Sequence, residues 1–540
     1  MPVYVPIRGS HRHLLPNSRA IGPVDPRELA SVSVRLRSVG DPGALVAKVY
    51  ALAATPLAQR RYLSHAELEA QHGAAQADLD AVEHAAQRHN LRVAHRSALE
   101  RSLVLSGRLG DILALFRADL HLYHHAAGSY RGRRGTISVP PELAPLITGV
   151  FGLDTRPKYR SPHRSKTAAA GGPGGQNGVA ASEFAQRYKF PDAQAGAPLD
   201  GSGQTIAIVE LGGGFRGSDL DAFFQEIGTP TPKVSAVSVD RAGNQPSTAD
   251  SADGEVMLDI EVAGAVAPGA NIAVYFAPNN GDQGFLDAIS AAVHDTQRKP
   301  GVISISWGSP ELSTDQQSID AYHEIFAAAG ALGVTICVAA GDHGTADLDA
   351  SHWDQAIHVD HPASDDLVLA CGGTQIDPAS GRDVVWNDGT PFDVNTAGGG
   401  GWAGGGGIST VVPVPAYQAN ANLPVSLATG KPGRGVPDIA MSATNYYTRV
   451  DTFEGPSGGT SAVAPLMAAL VARLNQARQN NVGFLNPFLY ANVAKGIVTD
   501  VTVGTNGIVD TVNGYAAGPG WDACTGLGTP VGTAILENLP

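Results

Sequence analysis

A glycine-rich turn followed by an apolar helix places one serine where nucleophilic chemistry is possible. Residues 455–459 include three glycines, and residues 462–479 repeat apolar side chains at helical spacing. Ser461 should therefore lie at the amino end of a helix, beside unpaired N–H groups and the positive end of the helix dipole. Negative charge on an attacked carbonyl oxygen would be stabilised there. The alternative is a serine that only caps the helix, which is the commoner role.

A base for this serine has to come from elsewhere in the chain, and paired carboxylates are available. Glu255 and Asp259 lie four residues apart on a predicted helix at 254–265, so they share one face and can share a proton. Apolar neighbours favour a buried pair over the alternative, a solvated acidic face. Asp342 follows a predicted strand between glycines, where a turn-forming role is the alternative. Glu210 ends another predicted strand, shortly before a run of glycines.

Alternating strands and helices must position these side chains. Strands are predicted at 205–210, 271–276, 302–307, 334–339 and 367–370, and helices at 254–265, 285–296 and 318–332. This alternation predicts an α/β fold with a mostly parallel sheet flanked by helices. Active residues of such sheets collect at the carboxyl ends of the strands, where Glu210, Trp307 and Asp342 are expected.

The first 170 residues form a separate unit by pattern. Strands are predicted at 30–39, 91–94, 101–105 and 135–139, with helices at 64–67 onward, 78–89, 109–120 and 140–150. This order is typical of an α+β, ferredoxin-like split βαβ arrangement. Residues 155–178 are first basic and turn-rich and then almost entirely small, which predicts an exposed, flexible linker open to proteolysis.

Charge divides the 540-residue chain in the same place. The net charge is −14, with +10 in residues 1–170 and −24 in the remainder, so the two parts should attract each other. Nucleic-acid binding is the competing interpretation of the basic part, but its arginines are mostly scattered. Three cysteines make no disulfide framework. The chain has no apolar run long enough to span a membrane, and residues 1–20 are not an ordinary signal peptide.

Taken together, these motifs resemble the sedolisins, the serine-carboxyl peptidases, and within them the kumamolisin precursors. The resemblance is carried by Gly-Gly-Thr-Ser461-Ala, by Asp-Gly-Glu255 with Asp259, by Ser-Trp307-Gly and by Gly-Asp342. A further match is the carboxyl-terminal run Gly-Trp-Asp-Ala-Cys-Thr-Gly-Leu-Gly. The resemblance implies a subtilisin-like fold in which a glutamate replaces the histidine that serves subtilisins as the base.

The resemblance also implies catalytic roles. Ser461 is the expected nucleophile, Glu255 the general base and acid, and Asp259 the residue that orients Glu255 and shares its proton. Asp342, in its protonated form, is the expected donor to the oxyanion. A glutamate is still partly ionised at acidic pH, whereas a histidine is then almost fully protonated, so an acidic working range is expected.

Four further residues have narrower implied roles. Glu210 and Trp307 match the outer members of the family's hydrogen-bond network. Asp360 matches a position associated with a preference for basic residues near the cleaved bond, with a loop-capping role as the alternative. His343 departs from the family, which commonly has serine beside the oxyanion aspartate, and this puts the local pH response in doubt.

A calcium site is implied near the carboxyl terminus. Asp500 and Asp522 would supply carboxylates, and Val501, Gly518 and Gly520 would supply backbone carbonyls to one Ca²⁺ ion. Such an all-oxygen set suits a hard cation. The alternative is that the two aspartates only form turns.

The implied protein is a secreted, monomeric precursor of an acid-acting endopeptidase that processes itself at low pH. Its expected parts are an inhibitory activation domain at 1–154, a linker with the maturation bond at 155–178 and a catalytic domain at 179–540. Polypeptides are the expected substrates, with neither nucleic acid nor membrane as a partner. The alternatives are a tripeptidyl-peptidase on the same fold, a neutral subtilisin-type hydrolase and a non-catalytic secreted binding protein.

Overall fold

The computed structural model of the chain describes most of its length. The described residues are 3–15, 18–125, 128–156, 158–161, 164–165 (backbone only), 178–393 and 399–540.

An eight-stranded sheet forms the centre of the carboxyl-terminal part. Its neighbours run parallel except at one edge strand, Asp383–Val385. In spatial order the strands are Lys233–Ser238, Asn271–Phe276, Thr205–Glu210, Val302–Ile305, Thr335–Ala339, Leu369–Ile376 and Asp383–Val385, with Ile439–Ser442 paired to Leu369–Ile376. The predicted parallel sheet is therefore confirmed.

Helices cover both faces of this sheet because its strands are apolar on both faces. Ile206 and Ile208 face one core together with the helices Asp253–Val266 and Thr460–Arg478. Ala207 and Val209 face the other core, as expected when successive side chains of a strand alternate. The remaining helices here are Ala181–Arg187, Gly217–Glu226, Asp282–Val293, Gln316–Leu332, Asn486–Asn492 and Gly532–Asn538.

The amino-terminal unit has the predicted ferredoxin-like core. Its antiparallel sheet runs in the spatial order Arg92–Ser97, Ser102–Arg108, Leu29–Leu36 and Ile147–Phe151. Its helices are Pro42–Ala54, His65–His72, Gln76–Arg88 and Leu109–Leu115. A second sheet contains Val5–Pro6, Gly128–Val139, Arg117–His125 and Arg19–Pro23. The capping box at Ser64 is confirmed, since Ser64 and Glu67 exchange both hydrogen bonds.

Two predicted helices of this unit are wrong in part or in full. The helix expected at 109–120 ends at Leu115, because Arg117–His125 pairs with Gly128–Val139 as a hairpin. Residues 140–150 form turns followed by the strand Ile147–Phe151. Pro145 would interrupt a helix there, and Val150 instead pairs with Val34 in the sheet.

The prediction that the linker is exposed is also wrong for Lys158 and Tyr159, which are buried. The ring of Tyr159 is 2% exposed and packs 4.4 Å, centroid to centroid, from the ring of Phe285. Lys158 Nζ donates to Asp282 Oδ1 at 2.9 Å. A buried aromatic ring and a buried ion pair hold this segment against the carboxyl-terminal part. The later stretch 166–177, predicted to be flexible, lies outside the described residues.

The two parts meet where the amino-terminal sheet that contains Leu29–Leu36 and Ile147–Phe151 packs against two helices. These helices are Asp282–Val293 and Gln316–Leu332. Gln317 Nε2 donates to Val150 O at 3.3 Å, and Ser33 Oγ donates to Asp287 Oδ2. Cationic side chains of the amino-terminal part pair with carboxylates across this interface: Arg12 with Asp282, Arg35 with Asp287, Arg101 with Glu324 and Arg133 with Asp315. These ion pairs provide the predicted electrostatic attraction between the basic amino-terminal part and the acidic carboxyl-terminal part.

Candidate active site

Ser461 lies in the first turn of the helix Thr460–Arg478, as predicted from its glycine-rich turn. Gly459, with φ of 119°, supplies a backbone conformation that other residues rarely adopt and so allows the sharp entry into the helix. Ser461 is fully buried, its Oγ donates to Ser306 O at 3.5 Å, and its hydroxyl lies close enough to Glu255 to lower the pKa of that carboxyl. The serine therefore lies beside a carboxylate that can act as base.

Glu255 and Asp259 project from one face of the helix Asp253–Val266, and both are buried. Ser306 Oγ lies 2.9 Å from each carboxylate oxygen of Asp259. Burial raises the pKa of Glu255 to about 7, against the opposing hydrogen bonds of Ser161, Ser461 and Ser306. Burial and the charges of Glu255 and Glu210 raise the pKa of Asp259 well above its ordinary value. These carboxylates can hold protons between them at acidic and neutral pH.

Glu210 and Trp307 extend this network. Glu210 is the last residue of the strand Thr205–Glu210 and is fully buried. Trp307 Nε1 donates to Glu210 Oε2 at 2.9 Å. Burial and the neighbouring Glu255 raise the pKa of Glu210 well above its ordinary value. Glu210 ends its strand as predicted, whereas Trp307 lies two residues beyond the end of the strand Val302–Ile305.

Asp342 lies on the other side of the nucleophile. Its Oδ1 accepts hydrogen bonds from Thr460 N at 2.7 Å and from Thr460 Oγ1 at 2.8 Å. Because both donors engage Oδ1, Oδ2 is the oxygen suited to carry a proton. Thr460 directly precedes Ser461, so this contact fixes Asp342 beside the place where an oxyanion would form.

We expect Glu255→Gln to raise the free energy of unfolding by about 3 kcal/mol at pH 7 and to change it little at pH 4. The pKa of Glu255 is about 7 in the folded chain against an ordinary 4.5, so the folded state binds the extra proton between these values. Wild-type stability therefore falls as pH rises from 4.5 to 7, and glutamine removes that loss. Urea unfolding at both pH values, in a Ser461→Ala background that prevents self-cleavage, measures the difference. An equal effect at both pH values would contradict it.

A cavity of about 340 Å³ lies next to the nucleophile. Asp342, His343, Asp347, Asp360 and Trp402 line it. Burial lowers the pKa of His343 to about 4, and its ring packs edge-on against Trp402 with 4.5 Å between centroids. His343 is therefore uncharged above about pH 4. Asp360 is buried in the cavity, so the structure brings this predicted substrate-binding residue to the site.

The described residues of the linker pair with both edges of this site. Arg160 forms two backbone hydrogen bonds with Gly308, each 3.0 Å long. Ser161 Oγ donates to Glu255 Oε2, and Arg164 pairs with Gly458, three residues before Ser461. The chain thus runs along the cleft as an extended peptide on both sides of the nucleophile.

Three residues of the site are not among those predicted from the sequence: Ser161, Ser306 and Thr460. Ser306 could have been predicted as a site residue, since it stands next to Trp307 at the end of a predicted strand. Thr460 belongs to the same motif as Ser461. Nothing local marks Ser161, because its contact with Glu255 joins positions 94 residues apart.

The predicted calcium residues come together around one loop. Asp500 Oδ2 accepts from Gly520 N at 2.8 Å, and Asp522 Oδ2 accepts from Gly518 N at 3.2 Å. Val501 follows Asp500 directly and is buried. Burial raises the pKa of Asp522. A cation bound nearby would lower this pKa again by stabilising the charged carboxylate. Two carboxylates and a glycine-containing loop fit a hard, oxygen-binding cation.

Within the described ranges, no helix combines the length and the apolar character needed to cross a membrane.

Comparison with known proteins places both parts of the chain. Residues 16–156 match the family described as "Pro-kumamolisin, activation domain", and residues 242–515 match the "Subtilase family". Kumamolisin from Bacillus sp. (strain MN-32) is 44% identical over 548 residues, covering 99% of this chain and 96% of the relative. Tripeptidyl-peptidase sed5 from Aspergillus fumigatus is 28% identical over 585 residues, covering 99% and 97%.

A solved structure agrees with these matches. Pseudomonas sedolisin (serine-carboxyl proteinase), complexed with two molecules of pseudo-iodotyrostatin, is 28% identical with a TM-score of 0.57. The similarity covers 67% of this chain and 98% of that one. From the near-complete match to kumamolisin and the activation domain in front of a subtilisin-like fold, we conclude that the chain belongs to the sedolisin family of serine-carboxyl peptidases, as a precursor with its activation domain.

Proposed function

We propose that this precursor yields an endopeptidase that works at acidic pH through Ser461, Glu255, Asp259 and Asp342. The observation that supports it is the burial of Ser461 beside the Glu255–Asp259 pair, with Asp342 fixed at Thr460. Catalytic carboxylates replace the histidine base of subtilisins, and Asp342 can donate to the oxyanion only while it is protonated, so the chemistry suits acidic conditions.

The reaction follows from these contacts. Ser461 Oγ attacks the peptide carbonyl carbon while its proton passes to ionised Glu255, and Asp342 donates a hydrogen bond to the oxyanion. The carbon–nitrogen bond then breaks as Glu255 returns the proton to the leaving amine, which leaves an acyl ester on Ser461. Water attacks this ester while its proton passes to Glu255. The ester carbon–oxygen bond then breaks as Glu255 gives this proton to Ser461 Oγ, which releases the carboxylic acid and restores the free serine. Asp259, held by Ser306, positions Glu255 throughout.

The path of the linker supports an endopeptidase over the tripeptidyl-peptidase alternative. Lys158 and Tyr159 continue the chain on the amino-terminal side of Arg160. This end of the cleft therefore accepts a peptide that extends more than three residues before the cleaved bond. Digestion of a polypeptide with a blocked amino terminus tests this. Internal cleavage is expected, whereas cleavage only of the unblocked polypeptide, with release of tripeptides, would favour the exopeptidase that sed5 exemplifies by name.

We also propose that the first self-cleavage breaks a bond between Ser161 and Arg164. Arg160 and Arg164 are paired to the two edges of the cleft on either side of Ser461. The ion pairs of Arg12, Arg35 and Arg133 with carboxylates on the surface of the catalytic domain support an activation domain that docks on its own catalytic domain. They also support the view that these arginines serve this interface and not a nucleic acid.

One Ca²⁺ ion bound by Asp500, Asp522 and the carbonyls of Val501, Gly518 and Gly520 is part of the proposal. When bound, the ion would tie the loop to the end of the strand Val498–Thr499. We expect a chelator, or Asp500→Ala, to lower the melting temperature by a few degrees, because an ion that binds only the folded state stabilises it.

Differential scanning calorimetry with calcium or with EDTA measures this effect. Asp221→Ala removes an exposed carboxylate elsewhere and serves as the matched control. The same melting temperature with calcium and with EDTA in the wild type would contradict a bound ion.

Secretion and a monomeric state complete the proposal, supported by the resemblance to the sedolisins. Activity in the medium of the producing organism and light scattering of the purified precursor would test them.

A further inference from the structure

The cavity beside the nucleophile already holds one guanidinium, that of Arg160 in the linker. Arg160 Nη1 lies 3.1 Å from Asp349 Oδ2, while the Arg160 backbone pairs with Gly308. We propose that Asp349 selects substrates with arginine or lysine at the third position before the cleaved bond. This deepens the proposed peptidase function and rests on it.

The position follows from the ladder between the linker and the cleft edge. In an antiparallel ladder the partner positions step in opposite directions, so a substrate residue two places after the one paired with Gly308 faces Ser306. The carbonyl oxygen of Ser306 lies 3.5 Å from Ser461 Oγ. The residue facing Ser306 therefore directly precedes the attacked bond, and the one facing Gly308 is third before it.

Asp349 is held in place to receive a cation. Its Oδ1 accepts from Ser351 N at 2.9 Å and from Ser351 Oγ at 2.6 Å, and His352 Nδ1 lies 2.8 Å away. Burial alone would raise the pKa of Asp349, but these hydrogen bonds and the charge of Arg160 lower it overall. The carboxylate therefore stays charged at acidic pH. Its side chain is 26% exposed at the cavity rim, within reach of a substrate.

Two other carboxylates of the cavity, Asp360 and Asp347, are less suited to pair with a cation. Asp360 lies beneath Gly308, so closely that a Cβ added to this glycine would lie 2.1 Å from Asp360 Oδ1. Burial, together with the neighbouring Asp347, raises the pKa of Asp360 well above its ordinary value. Asp347 also has a pKa raised by burial. Both are uncharged under acidic conditions, which leaves the cation to Asp349.

The test uses two internally quenched peptides that differ only at the third position before the cleaved bond, arginine against norleucine. The ratio of their kcat/KM values is measured at pH 4 with the acid-activated full-length protein. We expect a preference of about tenfold for arginine in the wild type and a ratio near one in Asp349→Asn. Asp349→Glu, which keeps the charge, should retain most of the preference.

Asp354→Asn is the matched control, since Asp354 lies in the same loop but does not line the cavity. A disturbed fold would lower both rates together and leave the ratio unchanged. A ratio that survives in Asp349→Asn but is lost in Asp360→Asn would overturn the proposal in favour of Asp360. Equal hydrolysis of both peptides by the wild type would overturn this inference alone, and hydrolysis of neither would overturn the proposed function with it.

Discussion

The Ser461→Ala protein should lose peptide hydrolysis at pH 4 by about 10⁵-fold or more relative to the acid-activated wild type. Ser461 lies in the first turn of the helix Thr460–Arg478, and its hydroxyl is close enough to Glu255 to lower the pKa of that carboxyl. Without it no acyl ester forms, and the remaining groups cannot replace covalent catalysis. Steady-state rates on an internally quenched peptide measure the loss. To separate chemistry from maturation, both proteins are first cut at the linker by another protease.

Ser380→Ala is the matched control for this substitution. Ser380 is exposed in a turn and does not line the cavity. Its variant should keep wild-type rates. Hydrolysis by Ser461→Ala within tenfold of the wild type would remove Ser461 from the mechanism.

Glu255→Gln should lower kcat by about 10³-fold or more, with a smaller change in KM. Glutamine keeps the shape of the side chain and its contact with Ser161, but it cannot take the proton of Ser461. The same substitution should stabilise the precursor at neutral pH, because it removes a carboxylate whose pKa burial raises to about 7. Lower activity with higher stability distinguishes a lost base from a damaged fold.

Glu261→Gln offers a close control on the same helix. Glu261 is also buried, and it accepts a hydrogen bond from Arg449 N at 3.1 Å, away from the nucleophile. Its variant should keep kcat near the wild-type value. If Glu255→Gln were as active as Glu261→Gln, the base would have to lie elsewhere.

Much of the fold could be predicted because its signals are local. The strand Thr205–Glu210 is a short apolar run ending in a carboxylate, and the helix Asp253–Val266 begins within a residue of its predicted start. The helix Pro42–Ala54 was not predicted, although Asp41 and Pro42 are good starting residues for a helix. Residues 140–150 were mistaken for a helix because their strand is fixed by pairing with the distant strand Leu29–Leu36.

The site divides in the same way. Ser461, Glu255 and Asp342 each stand in a recognisable motif, so their positions could be predicted from residue types and spacing. The contact of Ser161 with Glu255 and that of Arg160 with Asp349 could not be predicted. Both depend on how the linker lies in the cleft, which is set by the burial of Tyr159 and the ion pair of Lys158 far from the motifs.

The most direct test of self-processing by Ser461 is intact-mass spectrometry of the purified wild-type precursor after transfer from pH 7 to pH 4. We predict conversion to two fragments whose junction lies between Ser161 and Arg164, at a rate independent of precursor concentration because the linker already occupies its own cleft. The Ser461→Ala precursor should remain intact under the same conditions. A wild-type precursor that stays intact at pH 4, or an identical cut in pure Ser461→Ala, would contradict self-processing by Ser461.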